Sequence, residues 1–176
     1  NLELNVEIPQ VDGLTPPFVF QTLPESEGVP TNFASGDYHL FTGFSPGTFP
    51  AIGNPGPLSI TFDEPVKGAG TQIAVDYIFN FTVSVSAFDE DNNLLAAFST
   101  PGTSSLALDN SAVFLGFTSD EADISHLVFR TSEGNRAFAI NSLSIATVPE
   151  SSCVLGVLGV LGLVCLSKGK KLGVWS

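Results

Sequence analysis

A short run of oxygen-bearing side chains is the feature of this chain best suited to metal chemistry. Asp89, Asp91 and Asn93 stand at alternate positions, the spacing by which a loop wraps a hard cation such as calcium. Leu94 and Thr100 occupy the positions where an EF-hand needs glycine and glutamate, so that motif is not completed. The run also separates two strand-like segments, and a polar hairpin turn explains it without any metal. Calcium is therefore the one cofactor that the sequence suggests, with a plain turn as the alternative.

Two histidines, His39 and His126, are the side chains suited to acid–base chemistry near neutral pH. His126 shares one face of an alternating segment with Ile124 and Val128, which favours a partly buried structural histidine. His39 lies beside Tyr38 in an irregular segment and is the first choice if a catalyst must be named. Ahead of the C-terminal apolar segment, the sequence contains no GxSxG elbow, HExxH pair, P-loop or cysteine. We therefore expect no enzymatic activity.

The irregular segment from Leu23 to Pro57 is rich in proline and glycine and contains several aromatic residues. Connections of this length are uncommon unless they are functional or disordered, and the aromatic residues argue against simple disorder. One interpretation is a long connection that packs its own aromatic rings over an open edge of the domain. The other is a ligand-binding loop in which Tyr38, His39 and Phe41 present rings that stack on a sugar. The sequence leaves both interpretations open.

The elements around these residues have the pattern of β-strands. Short segments rich in β-branched and aromatic residues alternate apolar with polar positions, and Gly, Pro, Asn, Asp and Ser separate them. The predicted strands are Leu2–Ile8, Leu58–Phe62, Thr71–Tyr77, Phe81–Phe88, Leu94–Phe98, Ala112–Thr118, Ile124–Arg130 and Phe138–Thr147. Their regular spacing predicts an all-β domain, an antiparallel β-sandwich that resembles a jelly roll.

An apolar segment followed by lysines lies near the C-terminal end of the sequence. The apolar positions are Cys153, Val154, Leu155, Gly156, Val157, Leu158, Gly159, Val160, Leu161, Gly162, Leu163, Val164, Cys165 and Leu166. With its flanking serines the uncharged stretch has 17 residues, and a helix of that length reaches roughly 25 Å, the short end of a membrane span. The stretch has no polar face, which argues against the alternative of a buried core helix. Lys168, Lys170 and Lys171 form a basic stop that predicts the cytoplasmic side for Leu172–Ser176 and the opposite side for the preceding domain.

Val148, Pro149 and Glu150 stand just before the apolar segment. Together with that segment and the lysines they resemble the C-terminal sorting signal of PEP-CTERM proteins, a class of exported bacterial proteins that includes cyanobacterial members. Signals of that class usually read V-P-E-P and end in arginines, whereas Ser151 and lysines stand here. The resemblance implies an exported protein, first anchored in the inner membrane by a transmembrane helix and then cleaved near Pro149–Glu150 by an exosortase-type membrane protease. The cell surface or the extracellular matrix is the expected destination.

These features divide the chain into an exported acidic β-sandwich domain at 1–147 and a C-terminal sorting signal at 148–176. All 18 acidic residues but only three of the six basic residues lie in 1–150, which gives that part a formal net charge of −15. This charge repels phosphate backbones, so nucleic acid is not expected as a partner. The expected partners are the protease, the membrane, and glycans or matrix proteins.

For the domain itself, the sequence favours a non-catalytic binding or structural role outside the membrane. One specific form is a calcium-dependent carbohydrate-binding module that uses the Leu23–Pro57 segment and a cation held by Asp89 and Asp91. The other form is a self-assembling subunit of a surface layer or filament, joined to its neighbours through sheet edges.

Overall fold

The computed structural model describes residues 2–10, 18–27, 29–43 and 53–147, and the backbone of 172–175. These residues form an all-β fold of two antiparallel sheets, without a helix. The strands are β1 (Leu4–Glu7), β2 (Phe18–Gln21), β3 (Tyr38–Phe41), β4 (Leu58–Val66), β5 (Gly68–Val75), β6 (Phe79–Phe88), β7 (Leu94–Ser104), β8 (Val113–Ser119), β9 (Ile124–Thr131), β10 (Phe138–Ile140), β11 (Ser144–Ala146) and β12 (Leu172–Trp175). The predicted all-β antiparallel class is confirmed.

The two sheets are built by a chain that passes repeatedly from one to the other. The first sheet has the strand order β1-β4-β9-β6-β7. The second has the order β12-β8-β5-β10-β3-β2, with β11 also paired to β5. Among the connections whose residues are all described, those that cross between the sheets are β4–β5, β5–β6, β7–β8, β8–β9 and β9–β10. The sheets therefore share a common core, as in a β-sandwich.

Each segment that the sequence predicted as a strand overlaps an observed strand, but the bounds differ. Leu94–Phe98 continues to Ser104, and Phe138–Thr147 is divided into two strands, β10 and β11. The sequence missed β2 and β3, which have four residues each. Both lie beside segments rich in proline and glycine, and they pair with residues far away in the chain. No local sequence pattern therefore predicts them.

The core between the sheets is filled from alternate positions of the long strands. In β6, Val83 and Val85 are fully buried, while Ser84 and Ser86 point to the other side of the sheet. Phe129 of β9 is buried opposite Val85. Full burial of one such side chain stabilises the fold by about 1.5–3 kcal/mol. A slip of one residue would expose the whole set, so the alternation fixes the register.

A second, smaller core lies on the outer side of the second sheet. Its floor consists of four small side chains, Ala74, Ala112, Ala137 and Ala139. Phe33 packs on this floor and is fully buried. Small side chains leave the space that a phenyl ring needs, so the segment carrying Phe33 covers this side of the sandwich. The sequence anticipated such packing over an open edge, whereas the structure has it over a sheet face.

The exposed edge of β7 is shaped by a proline. The backbone NH of Thr82 bonds to Ser132 Oγ, and the Thr82 carbonyl accepts from the Ser132 NH. Thr82 therefore directs both groups away from Pro101, its partner on β7. Pro101 consequently sits at a position where its nitrogen faces outward, and an edge with a missing donor there is poorly suited to strand addition.

Candidate functional site

The outer side of the first sheet is exposed to solvent, and the strand register defines its members. Directly paired residues of antiparallel strands share one face of a sheet. The surface that we call the open face consists of Asn5, Glu7, Ser59, Thr61, Asn80, Thr82, Ser84, Ser86, Phe88, Ala97, Ser99, Pro101, Thr103, His126, Val128 and Arg130. Each of these side chains is exposed or half-buried. Serine and threonine are the commonest residue types on it.

Short side chains make the open face flat. One row crosses all five strands of the sheet through Glu7, Ser59, Val128, Ser86 and Ala97. Neighbouring strands lie about 4.8 Å apart, and same-face residues along a strand about 6.6 Å apart. The hydroxyl groups therefore form an array in two parts, Ser59 and Thr61 of β4 on one side of β9 and those of β6 and β7 on the other, and each group can donate one hydrogen bond and accept others.

The paired members of the open face carry little charge for a domain this acidic, although the exposed Asp63 follows Thr61 by two residues on β4 and adds a carboxylate at the edge beside β1. Among its members, Glu7 on the edge strand β1 and Arg130 on β9 are the charged residues apart from titratable His126. Most other acidic residues in the described part of the domain lie in turns and at strand ends, where they repel anions. A nearly neutral, hydroxyl-rich surface on a strongly acidic domain is suited to a neutral polar ligand.

An aromatic pair occupies one end of the open face. Phe88 and His126 are direct cross-strand partners, and their rings stack with centroids 4.5 Å apart and an interplanar angle of 2°. Partial burial lowers the pKa of His126, and the Asp89 carboxylate acts in the opposite direction. Leu94, opposite Phe88 on β7, adds an exposed apolar side chain to this end. The predicted face of His126 holds for Val128 but not for Ile124, which is fully buried in the core between the sheets beside a register shift in β4. The partial burial of His126 agrees with a structural histidine.

The predicted ligand loop is not a loop at its central residues. Tyr38, His39 and Phe41 lie in β3, and strand alternation places His39 and Phe41 on one face and Tyr38 on the other. Tyr38 is 66% exposed, whereas His39 and Phe41 are 1% and 5% exposed. The three side chains therefore do not form one exposed aromatic platform. Within this segment, residue 28 and residues 44–52 lie outside the described residues.

His39 is held inside the second core. Its Nδ1 lies 3.2 Å from Thr22 Oγ1, which in turn lies 3.1 Å from Thr31 Oγ1. The rings of Phe33 and Phe20 pack near the imidazole, with centroid distances of 5.5 and 6.2 Å. Burial lowers the pKa of His39 to about 4, so the ring is neutral at neutral pH. A neutral, enclosed imidazole fits a structural residue better than an exposed acid–base catalyst.

The acidic run between β6 and β7 forms a self-contained turn. One carboxylate oxygen of Asp89, Oδ1, accepts the backbone NH groups of Asp91 and Asn93 at 3.0 and 2.8 Å. The other, Oδ2, accepts the side-chain amide of Asn93 at 3.0 Å. Asn92 has φ +63°, the left-handed conformation that asparagine tolerates in turns. These bonds account for the alternate spacing of polar residues without any ion.

The predicted calcium ligands do not converge with further acidic groups. Among the described residues, no group of three or more His, Cys, Asp or Glu side chains is arranged to hold a metal ion. In the turn itself, Asp89 bonds to the backbone of Asp91 and to both the backbone and the side chain of Asn93. The turn interpretation of the sequence is therefore the one that the geometry favours.

The C-terminal signal lies largely outside the described residues. This holds for Val148, Pro149 and Glu150, for the apolar run 153–166 and for the three lysines. In the described part of the chain, no helix has the length and apolar character that a bilayer span requires. Leu172–Trp175 forms β12 and pairs with β8, which differs from the prediction that this segment is separated from the domain by a membrane.

The open face was not singled out from the sequence, although part of its signal was visible. Thr82, Ser84 and Ser86 alternate with buried residues in β6, and this pattern marks one wet face of a strand. The sequence did not show that β7 brings hydroxyl groups beside them or that β4 adds others to the same face beyond β9, because strand order is a long-range property.

Comparison of the chain with protein-family models, with curated proteins and with solved structures found no match.

Proposed function

We propose that this chain is an exported surface or matrix protein whose β-sandwich binds a neutral polysaccharide through the open face. The domain acts as a non-catalytic binding module. The C-terminal signal delivers it, through an inner-membrane precursor that an exosortase-type protease cleaves near Pro149–Glu150. The proposal also includes a jelly-roll-like form of the sandwich and a transmembrane helix that follows it.

The observation that carries the binding proposal is the difference between the two outer sides of the sandwich. The second sheet is covered by its own chain, with Phe33 buried on alanines. The first sheet instead presents an exposed array centred on Ser84 and Ser86. Isolated exposed residues need no explanation, but a broad, flat and nearly neutral face on a domain of this charge calls for one.

The chemistry of the open face matches that of an uncharged glycan. Sugar hydroxyls are both donors and acceptors, like the serine and threonine hydroxyls of the array, so their hydrogen bonds need no particular charge. The apolar faces of sugar rings can pack on the stacked pair of Phe88 and His126 and on Leu94. An acidic glycan is disfavoured because the surrounding domain is strongly negative.

The delivery part of the proposal is supported by the order of three sequence features, namely Val148-Pro149-Glu150, the apolar run and the lysines. A chain with residues 153–166 in a bilayer cannot also pair β12 with β8, because the two strands would lie on opposite sides. Under this proposal, Leu172–Trp175 can pair with β8 only while residues 153–166 are not in a bilayer. Cleavage would remove this strand from the mature domain.

A binding assay on insoluble neutral polysaccharides tests the open face. The full chain is incubated with cellulose, chitin and an uncharged mannan, and the bound fraction is measured at low and high salt. We expect retention on at least one of them with little dependence on salt. Ser86→Lys should weaken binding about tenfold, equivalent to ~1.4 kcal/mol, because a long charged side chain then stands in the array.

Ser26→Lys is the matched control for this assay, since Ser26 is exposed in a turn of another part of the domain. It adds the same charge and should leave binding unchanged. Equal weakening by both variants would show a general charge effect and contradict a site on the open face. Absence of binding to every neutral polysaccharide would contradict the proposed ligand class.

The alternative functions are less well supported by the geometry. Calcium dependence is not part of our proposal, because the Asp89 carboxylate is engaged by its own turn. Assembly through the edge of β7 is disfavoured by the outward position of Pro101.

A further inference from the structure

The open face divides into two parts that differ in charge, and β9 separates them. Beyond β9, the part formed by β1 and β4 includes the Glu7 carboxylate, and Asp63 adds another at its edge. On the near side, β6 and β7 bring together uncharged side chains only, and we call this part the β6–β7 strip. It consists of Asn80, Thr82, Ser84 and Ser86 on β6 and Ala97, Ser99, Pro101 and Thr103 on β7. The two parts therefore offer different surfaces to a neutral ligand.

The residues of β9 bound the strip along one side. Val128 and Arg130 lie opposite Ser86 and Ser84, and their side chains are larger than those of the serines and have no hydroxyl group. Arg130 is exposed, and its guanidinium can donate hydrogen bonds to sugar hydroxyls from this side. On the other side the strip ends at β7, the edge strand of the sheet. The strip is therefore only two strands wide, with about 4.8 Å between the strands.

Each end of the strip has a defined contact between two side chains. At one end Thr103 Oγ1 donates to Asn80 Oδ1 at 2.9 Å, so these cross-strand partners hold each other in place before a ligand binds. At the other end the strip meets the stacked rings of Phe88 and His126. Asn80 and Phe88 are eight residues apart on β6, which corresponds to roughly 27 Å. The uncharged surface is therefore long and narrow.

We propose, given the proposed function on which this inference rests, that the β6–β7 strip binds one linear neutral polysaccharide chain that lies along the two strands. One sugar ring of the chain packs on the pair of Phe88 and His126. A single chain matches a surface that is narrow in one direction and long in the other. A crystal face made of many chains would also have to cover β9 and the carboxylates of Glu7 and Asp63 beyond it.

Soluble oligosaccharides test whether the site extends along the strip. The full chain is titrated by calorimetry with cello-, chito- and manno-oligosaccharides of two, four and six sugar units. We expect the six-unit member of at least one series to bind about tenfold more tightly than its two-unit member, because a longer chain meets further hydroxyl groups. Equal affinity for both lengths would overturn a site that follows the strands.

Ser99→Lys and Thr61→Lys locate the bound chain on the open face. Both residues are exposed, but Ser99 lies in the strip and Thr61 lies beyond β9. Ser99→Lys should weaken binding of the six-unit oligosaccharide about tenfold. Thr61→Lys adds the same charge and should leave this binding unchanged. Equal weakening would mean that the ligand crosses β9, which would overturn the strip and leave binding by the open face intact.

Chemical-shift mapping by NMR on the wild type does not depend on the folding of either variant. The amide signals of Ser84, Ser86 and Ser99 should shift when the six-unit oligosaccharide is added, and those of Ser59 and Thr61 should not. Shifts on the β4 side or on another surface would overturn the strip. Retention on insoluble polysaccharides without binding of any soluble oligosaccharide would overturn it as well. Absence of both kinds of binding would contradict the proposed function itself, and the strip with it.

Discussion

Phe88 and His126 stack in parallel across β6 and β9, with centroids 4.5 Å apart and an interplanar angle of 2°. The pair stands where the hydroxyl array of the open face ends and the acidic turn of Asp89 begins. The apolar ring of Phe88 is therefore in direct contact with the titratable ring of His126. The protonation of His126 reports on this end of the open face.

Two substitutions should move the pKa of His126 in opposite directions. Asp89→Asn removes the carboxylate that raises the pKa and should lower it further. Phe88→Ala removes part of the burial that lowers the pKa and should bring it back toward its ordinary value of 6.5. Titration of the ring by NMR measures both shifts. Equal pKa values in all three proteins would show that neither neighbour acts on the ring.

Burial of His39 should make the domain sensitive to acid. The folded pKa is about 4 against 6.5 for an ordinary histidine, so the unfolded chain binds the proton more tightly. The contribution of the neutral His39 ring to the free energy of unfolding is therefore complete above pH 6.5, and it is lost as the pH falls from 6.5 through 4. The total loss is about 3 kcal/mol. Denaturant unfolding between pH 7 and pH 4 measures it.

His39→Gln isolates this contribution from that of the carboxyl groups. The variant has no imidazole, so its free energy of unfolding should decrease less steeply over the same pH range. Parallel pH dependences of the wild type and the variant would mean that His39 does not titrate with the expected shift. Asp76, whose pKa is raised by burial, contributes in the opposite direction, since protonation near its pKa is easier in the folded state.

The second core should contribute to the free energy of unfolding as strongly, residue for residue, as the core between the sheets. Phe33→Ala leaves a cavity on the floor of four alanines and should lower the free energy of unfolding by about 3–5 kcal/mol. Tyr38→Ala is a matched aromatic deletion at a side chain that is 66% exposed, and it should cost much less. Equilibrium denaturation measures both. Similar losses would mean that the cover does not pack Phe33 as described.

Gly116 should tolerate no side chain. It pairs with Gly70 across β5 and β8, and a Cβ at Gly116 would lie 2.5 Å from the Ala69 carbonyl oxygen and 2.6 Å from the Gly70 Cα. Gly116→Ala should therefore lower the melting temperature by several degrees, since about 1 kcal/mol shifts it by roughly 2–8 °C. At Gly134 a Cβ meets nothing within 4 Å, so Gly134→Ala should be nearly neutral. Equal melting temperatures for both variants would contradict this close approach.

The strands that could be predicted from the sequence are those whose side chains alternate clearly. β6 shows this best, because buried Val83 and Val85 alternate with Ser84 and Ser86. β3 could not be predicted in the same way, since it is short and buries a histidine. The burial of His39 depends on Thr22 and Phe33, which are brought to it by tertiary packing.

The candidate site was less accessible to sequence reasoning than the fold. The acidic and histidine-containing segments carry side chains whose capacity for chemistry is recognisable from residue type alone. The open face instead gains its character from the register of four pairings, which places Ser59, Ser86 and their neighbours in one plane. No local pattern reports such a register. The Asp89 turn shows the converse, because a spacing suited to calcium is explained by hydrogen bonds within the turn.

Delivery to the cell surface is the claim on which the whole account depends. The full chain, produced in an exosortase-bearing host, is compared with a Pro149→Ala/Glu150→Ala variant by the mass of the released product. We predict a wild-type product that ends near Glu150 and is absent from the variant. Uncleaved protein retained in the membrane in both cases would contradict processing of the signal, and with it the proposed route of the domain to the cell surface.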